Sequence, residues 1–365
     1  ISAAYTLEYL KVPYILLEAA PHHGGRVRHN ETFLGNGTAL DIGAEWIHTD
    51  PSILKDLLLI PEDLKEIDKF IKEQIIEFQP QTWGYYTFGS LWRIDFLKHT
   101  YIEYKFKRSS WSQFIDHFMV RHLKKENIRY NAIVQEVDYS NDTTVKVTCQ
   151  DGVEYLGTKV ICAVPLSILK DGDVKFIPEM PQSKLDVLQK HDMKPGFKLA
   201  IEFKEHFFLD VACDLSFLQA QYALVAGVGA ERMFFDALYN KGINDRHVIG
   251  VYCYSTLAEN LSKLDDDALF KEIMKTLDKI YDGKATEHYV QHLVQNWTKE
   301  KFVRGVASNY LKNGSMQKEF VESPLENKVF FAGEHTGGYA SICVHGASLT
   351  GRRAAMHCIG QEYKF

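Results

Sequence analysis

The sequence predicts an α/β fold built on a mixed sheet, in two units. Three observations lead there. Residues 2–10 (SAAYTLEYL) read as a short helix, and after Pro13 an apolar, β-prone run at 14–17 ends in Glu18. A helix followed closely by a buried parallel strand is half of a βαβ unit. Two further apolar runs, 159–164 and 329–332, are cut off by Pro165 and Gly333, as buried strands are. Helical and strand patterns then alternate along the whole chain with frequent turn signals, which argues for α/β rather than separate classes.

The remaining elements follow in order. Residues 21–26 (PHHGGR) are a loop, and 41–48 (DIGAEWIH) a compact glycine-containing segment. Residues 59–80 alternate acids and bases at apolar spacing and predict a surface helix. Residues 85–88 and 91–94, joined by Gly89-Ser90, predict a hairpin. A helix is expected over 111–123, and strands over 133–137 and 144–149 with Asn141-Asp142 as their turn. Residues 198–203 (KLAIEF) alternate like a strand with one covered face. Over 266–281, Leu269, Phe270, Ile273, Met274, Leu277 and Ile280 fall on one helical face, closed by Gly283. The last helix is expected over 346–358.

Composition narrows the function. At about 150 residues per domain, 365 residues give two domains, and 45% hydrophobic content suits large cores. Against 48 acids stand 42 Lys and Arg, a net charge of −6, so there is no basic excess for neutralising a phosphate backbone and nucleic acid is not an expected partner. No apolar run approaches the roughly 18 residues of a membrane span. Six cysteines without a Cys-x-x-Cys pair exclude a zinc ribbon, and His22 and His23 lack a third ligand at metal-binding spacing, so no metal site is expected. Those two histidines are expected to be solvated. No targeting signal is legible, and the compartment stays open.

Glu18 opens the chemistry. An acid at the end of the second strand of a dinucleotide fold hydrogen-bonds the adenosine ribose about 20 residues past a glycine loop. Gly24-Gly25-Arg26 follows: paired glycines let backbone approach a diphosphate, and Arg supplies charge and forked donors. This combination resembles the signature of the flavin amine oxidase superfamily, with His22 where the family has its first Arg. The rest of the chain follows in register. Residues 43–48 (GAEWIH) resemble the segment beside the flavin ring, so Gly43, Ala44, Glu45 and Trp46 are implied cofactor contacts. Val134 falls at the adenine-side backbone contact, and Trp297 in the aromatic stretch beside the flavin. Residues 330–355 are similar to the C-terminal flavin signature, which implies Gly333, Glu334, Val344 and Ala347. The polyamine and spermine oxidase branch is the nearest in pattern.

The resemblance implies a discontinuous Rossmann-like FAD-binding domain from 1–58, 108–172 and 312–365, and an α+β substrate domain from 59–107 and 173–311. It implies non-covalent FAD, because Ala340 occupies the position of the family's flavin-linking Cys. The implied reaction is hydride transfer from an amine, expected to be a polyamine, to flavin N5, with imine hydrolysis and oxygen as the final acceptor, giving H2O2. Lys198 is implied to hold a water behind N5, as a lone cation in an apolar strand. His48 is implied to steer a cationic substrate or support its loop. Glu334 is expected to accept from ribityl hydroxyls, and the uncapped end of the last helix to face the flavin's N1/O2 edge. Glu45 and Asp50 are expected as acids near the mouth.

Cys343 and Ala307 stand where two aromatic side chains often flank the ring, and Phe302, Tyr310 or Tyr339 are the candidates to replace them. Two rival readings stay open. One is a catalytically weak FAD-binding relative acting as a binding module, favoured by Ala307, Cys343 and His22. The other is an amino-acid oxidase of the same fold, using Arg93 or Arg304 for a carboxylate.

Because only residues 1–17 precede Glu18, the glycine loop and one more buried strand are expected upstream of Ile1. The 365 residues alone are therefore expected to purify flavin-free or insoluble, and addition of the native upstream segment to give a yellow, soluble product. Visible flavin absorbance of the two forms checks this, and stoichiometric flavin in the shorter form would refute it.

Overall fold

A computed structural model describes residues 1–35, 37–87, 89–94, 103–214, 232–308 and 316–363. Tyr310, one expected replacement aromatic, lies outside them. The architecture is mixed α/β and centres on a seven-stranded mixed sheet. Its strand order is Tyr289–Asn296, Gly196–Phe203, His247–Tyr254, Arg232–Asp236, Val211–Asp214, Trp83–Thr87 and Ser90–Ile94. Every neighbouring pair is antiparallel except Val211–Asp214 with Trp83–Thr87. The expected hairpin at 85–94 is its far edge.

Gly196–Phe203 lies next to one edge and is buried at all eight positions. Alternation in the sequence predicts one solvated face; instead both faces are covered. Phe197, Leu199, Ile201 and Phe203 pack under the helix Asp266–Ile280, whose Leu269, Ile273, Met274, Leu277 and Ile280 supply the opposing stripe. That helix starts on the side chain of Asp265, which accepts from the Ala268 N–H, and carries Asp266 and Asp267 in its first turn, where they complement the helix dipole. On the other sheet face, Ala200 meets a core of Phe33, Leu34, Leu40, Phe78 and Phe235. Lys198 and Glu202 have the same parity as Ala200, so the face opposite the helix receives both charged side chains.

The expected helix at 59–80 is shorter in the structure. It runs Pro61–Gln74 and gives way to the strand Ile75–Phe78. Ile75 and Ile76 are β-branched and pair with Phe106 and Lys105 of Glu103–Phe106, so sheet pairing overrides the helical spacing. Glu103–Phe106 pairs on its other side with Trp46–Ile47, which puts Lys105 opposite Trp46. The expected helix at 111–123 likewise stops at Phe118 and continues as a 3₁₀ turn, Val120–His122. The last helix begins at Val344, earlier than expected.

Four short strands form two parallel pairs: Leu16–Leu17 with Ile128–Arg129, and Val160–Cys162 with Val329–Phe331. A separate four-stranded sheet has the order Glu154–Gly157, Val145–Cys149, Val134–Asp138 and Lys175–Ile177. The first helix, Ser2–Tyr9, lies against the last, Val344–Cys358. Gly351 allows this approach: a β-carbon there would sit 3.1 Å from the Ala3 nitrogen.

Leu277, fully buried between helix and sheet, tests this packing. Leu277→Ala is expected to cost about 2–5 kcal/mol, and exposed Lys271→Ala no more than about 0.5. Urea midpoints of the two variants check the difference.

Candidate functional site

One cavity of 1890 Å³ runs between these sheets, larger than the roughly 300–1,000 Å³ of a drug-sized ligand site. All sixteen residues singled out from the sequence line it: Glu18, Gly24, Gly25, Arg26, Gly43, Ala44, Glu45, Trp46, His48, Val134, Lys198, Trp297, Gly333, Glu334, Val344 and Ala347. They come from segments far apart in the chain, so the fold has gathered them.

The loop at 24–26 is shaped for close approach. Gly24 and Gly25 both have left-handed backbone, φ 101° and 56°, and a β-carbon on Gly24 would sit 2.6 Å from the Val27 carbonyl oxygen. Arg26 uses one nitrogen for its protein bonds, donating from Nη1 to the Val306 carbonyl at 3.0 Å and to Glu334 Oε1 at 2.9 Å. Its Nε and Nη2 make no hydrogen bond among the described residues, which leaves a partly exposed cation with open donors on the cavity wall. Gly43 crosses directly beneath. Its β-carbon would lie 1.9 Å from the Arg26 carbonyl oxygen, so no other residue fits. Trp297 closes this corner, donating from Nε1 to the Ile42 carbonyl at 2.9 Å. Glu18 accepts from the Ala20 N–H on Oε1. Val134 begins its strand at a bulge, where backbone groups leave the ladder.

Glu334 differs from expectation. It is buried, and four donors reach its two oxygens: Arg26 Nη1 and the Ser308 N–H on Oε1, Ser308 Oγ and the Ile342 N–H on Oε2. Those bonds fill a carboxylate's acceptor sites. Burial is the largest influence and opposes its ionisation, but the Arg26 charge, the neighbouring His335 and the hydrogen bonds from Ser308 and Arg26 together outweigh it and hold its carboxyl below the usual range. Glu334 therefore ties Arg26 to the C-terminal segment instead of offering free acceptors to ribityl hydroxyls. Beside it, the helix Val344–Cys358 starts on Cys343 without a side-chain cap, so its first N–H groups open toward the cavity.

Lys198 is not a lone cation. Its ammonium donates to the Asp41 carbonyl at 3.0 Å, the Gly43 carbonyl at 3.0 Å and Glu45 Oε2 at 2.8 Å. An ammonium has three donors, and all three are used. None remains for a water in the cavity, so its contribution is charge and the pinning of residues 41–45. Glu45 is equally far from a mouth acid. It is buried, and its second oxygen lies 2.9 Å from Lys105 Nζ. Burial alone would raise the Glu45 carboxyl, but Lys105, then Lys198 and Lys241, outweigh it and hold it down to about 2. Lys105 is fully buried in a box of Trp46, Phe78 and Phe235, 4.8, 5.1 and 5.3 Å from the ring centres.

Other assignments resolve locally. His48 is exposed and pairs with Glu103 through Nδ1 at 3.0 Å. His22 is exposed, but His23 is half-buried and bonded to Asp116 and Tyr130. Arg304 lines the cavity but is held by Asp171 and Asp173, and Arg93 is exposed on the hairpin outside that lining. Ala307, Cys343 and Phe302 line the cavity, whereas Tyr339 is solvent-exposed. Asp50 is an exposed turn acid accepting from the Ser52 N–H. Among the described residues no cluster of His, Cys, Asp or Glu is arranged to hold a metal, and no helix is long and apolar enough to cross a membrane.

A sequence profile described as flavin containing amine oxidoreductase matches residues 81–359. The chain belongs to this family. Its cofactor is FAD, and the glycine loop, the open Arg26 donors and the uncapped helix end fit that group. Human lysine-specific histone demethylase 2 is 25% identical over 341 residues, 87% of this chain and 40% of that protein. Maize polyamine oxidase 1 is 26% identical over 227 residues, 61% of this chain and 43% of that protein. The chain spans about two fifths of the length of such relatives. A putrescine oxidase structure superposes with a TM-score of 0.75 at 14% identity, covering 98% of this chain and 96% of its own. Cyclohexylamine oxidase from Brevibacterium oxydans gives 0.74 at 11%, covering 97% and 95%. Both share the fold.

Sequence reasoning missed Lys105, Lys241, Asp41, Glu103 and Ser308. The available signal for Lys105 was the one that marked Lys198, a lysine inside an apolar strand. Removing Glu45 tests the network. Glu45→Gln strands two buried ammonium groups and is expected to cost about 3–5 kcal/mol. The native Glu45 carboxyl is depressed, so its stabilisation is full above pH 4.5 and is lost as pH falls toward 2. Thermal melts across that window should show a shallower acid slope for the variant.

Proposed function

We propose that this protein oxidises an aliphatic amine at the carbon next to nitrogen, with a long polyamine as its first substrate. The observation that carries this is the convergence of the cofactor-type residues and the small Ala307 and Cys343 on one cavity. Bound FAD supplies the two-electron acceptor for the amine's α-hydrogen and passes the electrons to oxygen as H2O2, while the imine product hydrolyses.

The chain's own residues do the rest. Segments 1–58, 108–172 and 312–365 form the FAD-binding domain; 59–107 and 173–311 form the substrate domain. Glu18 would accept from the ribose, and the Gly24-Gly25 backbone with the Nε and Nη2 donors of Arg26 would hold the diphosphate. The uncapped N–H groups at the start of Val344–Cys358 would stabilise the negative charge that a bound flavin gains on reduction. Lys198 adds fixed positive charge, and His48, oriented by Glu103, stands on the substrate side. With Ala340 in the linking position the flavin is held without a covalent bond.

The relatives named polyamine oxidase and the putrescine oxidase fold support a polyamine. Ala307 and Cys343 remove a flat aromatic slot, which favours flexible chains over aryl amines. Glu45 no longer adds to the charge argument, since its carboxylate is spent on lysines; the net charge and Asp50 remain. A second reading takes a methylated lysine side chain, also an aliphatic amine, as substrate. The 87% of the chain aligned with a lysine-specific histone demethylase favours it.

Peroxide release under air from spermine-like amines, benzylamine-like amines and a methyl-lysine peptide decides among these. Spermine-like amines are expected to turn over at least about tenfold faster than benzylamine-like ones, a difference of about 1.4 kcal/mol in the barrier. Faster aryl-amine turnover would reject the aliphatic reading. Peptide turnover above the polyamine rate would select the second. Tight FAD with no peroxide from any amine would leave a binding module.

A further inference from the structure

Behind the cavity wall the protein carries more buried positive charge than buried negative charge. Lys105, Lys198 and Lys241 are buried at 0, 6 and 2% exposure. They arrive from three different elements: the strand Glu103–Phe106, the strand Gly196–Phe203, and the turn after Arg232–Asp236. Two acids face them, Glu45 and Asp41. Glu45 is shared by Lys105 and Lys198, one oxygen each. Lys241 donates to the Phe106 carbonyl at 2.6 Å. Asp41 forms no ion pair among the described residues, and its buried Oδ1 has no hydrogen-bond partner. Even with both acids ionised the cluster keeps one positive charge; with Asp41 protonated it keeps two.

A purely structural network has no reason to keep such a surplus. An unmatched buried cation costs several kcal/mol, and apolar residues of the same size would remove that cost. The surplus is useful if negative charge develops on the other side of the wall. Glu45 and Lys198 belong to that wall, whereas Lys105 and Lys241 stand behind it and touch nothing in the cavity.

We propose that Lys105 and Lys241, together with Lys198, form a buried cationic platform that raises the reduction potential of the bound flavin, with Glu45 as the positioning residue that fixes two of the three ammonium groups. The platform acts through its field, because Lys198 has no donor left for the cavity. Two-electron reduction adds negative charge to the ring system, and a fixed cation in a water-poor wall stabilises that charge without reorganisation. Burial, with the Glu45 charge next, pushes the Asp41 carboxyl up to about 8, and burial, with the Lys105 charge next, pushes the Lys241 ammonium down to about 8, so near neutral pH both groups still hold their proton and the surplus stands at its larger value. The inference rests on the flavin-dependent reading given above.

The test is a dye-coupled redox titration of the full-length flavoprotein and its Lys105→Met, Lys241→Met and Lys105→Arg variants. Each Met variant is expected to lower the potential, so that at a fixed applied potential the ratio of reduced to oxidised flavin falls at least roughly tenfold. Lys105→Arg keeps the charge and should stay close to the parent. If Lys105→Met does not fold, Lys241→Met decides alone, because its partner is a backbone carbonyl and not Glu45. Potentials equal to the parent's in Met variants that carry stoichiometric FAD overturn the platform and leave the amine oxidase reading intact. A full-length parent protein that takes up no flavin overturns both.

Discussion

A carboxylate shared between two buried ammonium groups holds the centre of this molecule together. Glu45 lies between Lys105 and Lys198, and each lysine brings a different sheet. Through Lys198 the seven-stranded sheet grips the backbone of residues 41 and 43; through Lys105 the small sheet around Trp46–Ile47 is fixed to the same point. Buried ion pairs contribute little net stability relative to apolar packing, but breaking one is costly. Such an arrangement specifies position. It holds residues 41–46 where their glycine and carbonyl groups form one side of the cavity.

The opposite side is held by a second ion pair with the same logic. Arg26 and Glu334 join residues 308 positions apart. Ser308 and the Ile342 N–H complete the Glu334 shell, so three segments meet at one carboxylate. Arg26 spends one nitrogen on this and keeps the others for a ligand. The two networks meet at Gly43, where the Arg26 carbonyl passes too close for any side chain. The Gly43 and Ala44 N–H groups bond to the Arg28 and Arg26 carbonyls, which locks the crossing. Both networks leave cationic groups at or behind the wall and place carboxylates inside the protein. That polarity suits a cofactor that arrives with a diphosphate and becomes more negative when reduced.

Much of this was legible in the sequence. Glu18, Gly24-Gly25-Arg26 and residues 43–48 were identifiable only in combination, since an acid at a strand end or a paired-glycine turn is by itself usually ordinary surface, and the match to a known signature put the other site residues in register. The helix Asp266–Ile280 was legible because its apolar stripe has the helical period and its ends carry ordinary start and stop signals. The strand Ile75–Phe78 was not, because its preference for a sheet is realised only when Glu103–Phe106 lies beside it.

The sequence by itself determined which residue types are available: glycines where backbone must pass close, an arginine beside them, and lysines set in apolar strands. It determined local element type wherever period and capping agreed. The tertiary structure alone decided what those residues are bonded to. Lys198 looks lone in sequence because Glu45 is 153 positions away, and Glu334 looks free because Arg26 is 308 away. Hydrogen bonds and ion pairs act over a few ångströms, so donor counts become fixed only when distant segments are brought together. For this protein that step turned an expected water-holding lysine into a saturated cation, and an expected ligand acceptor into the anchor of an arginine.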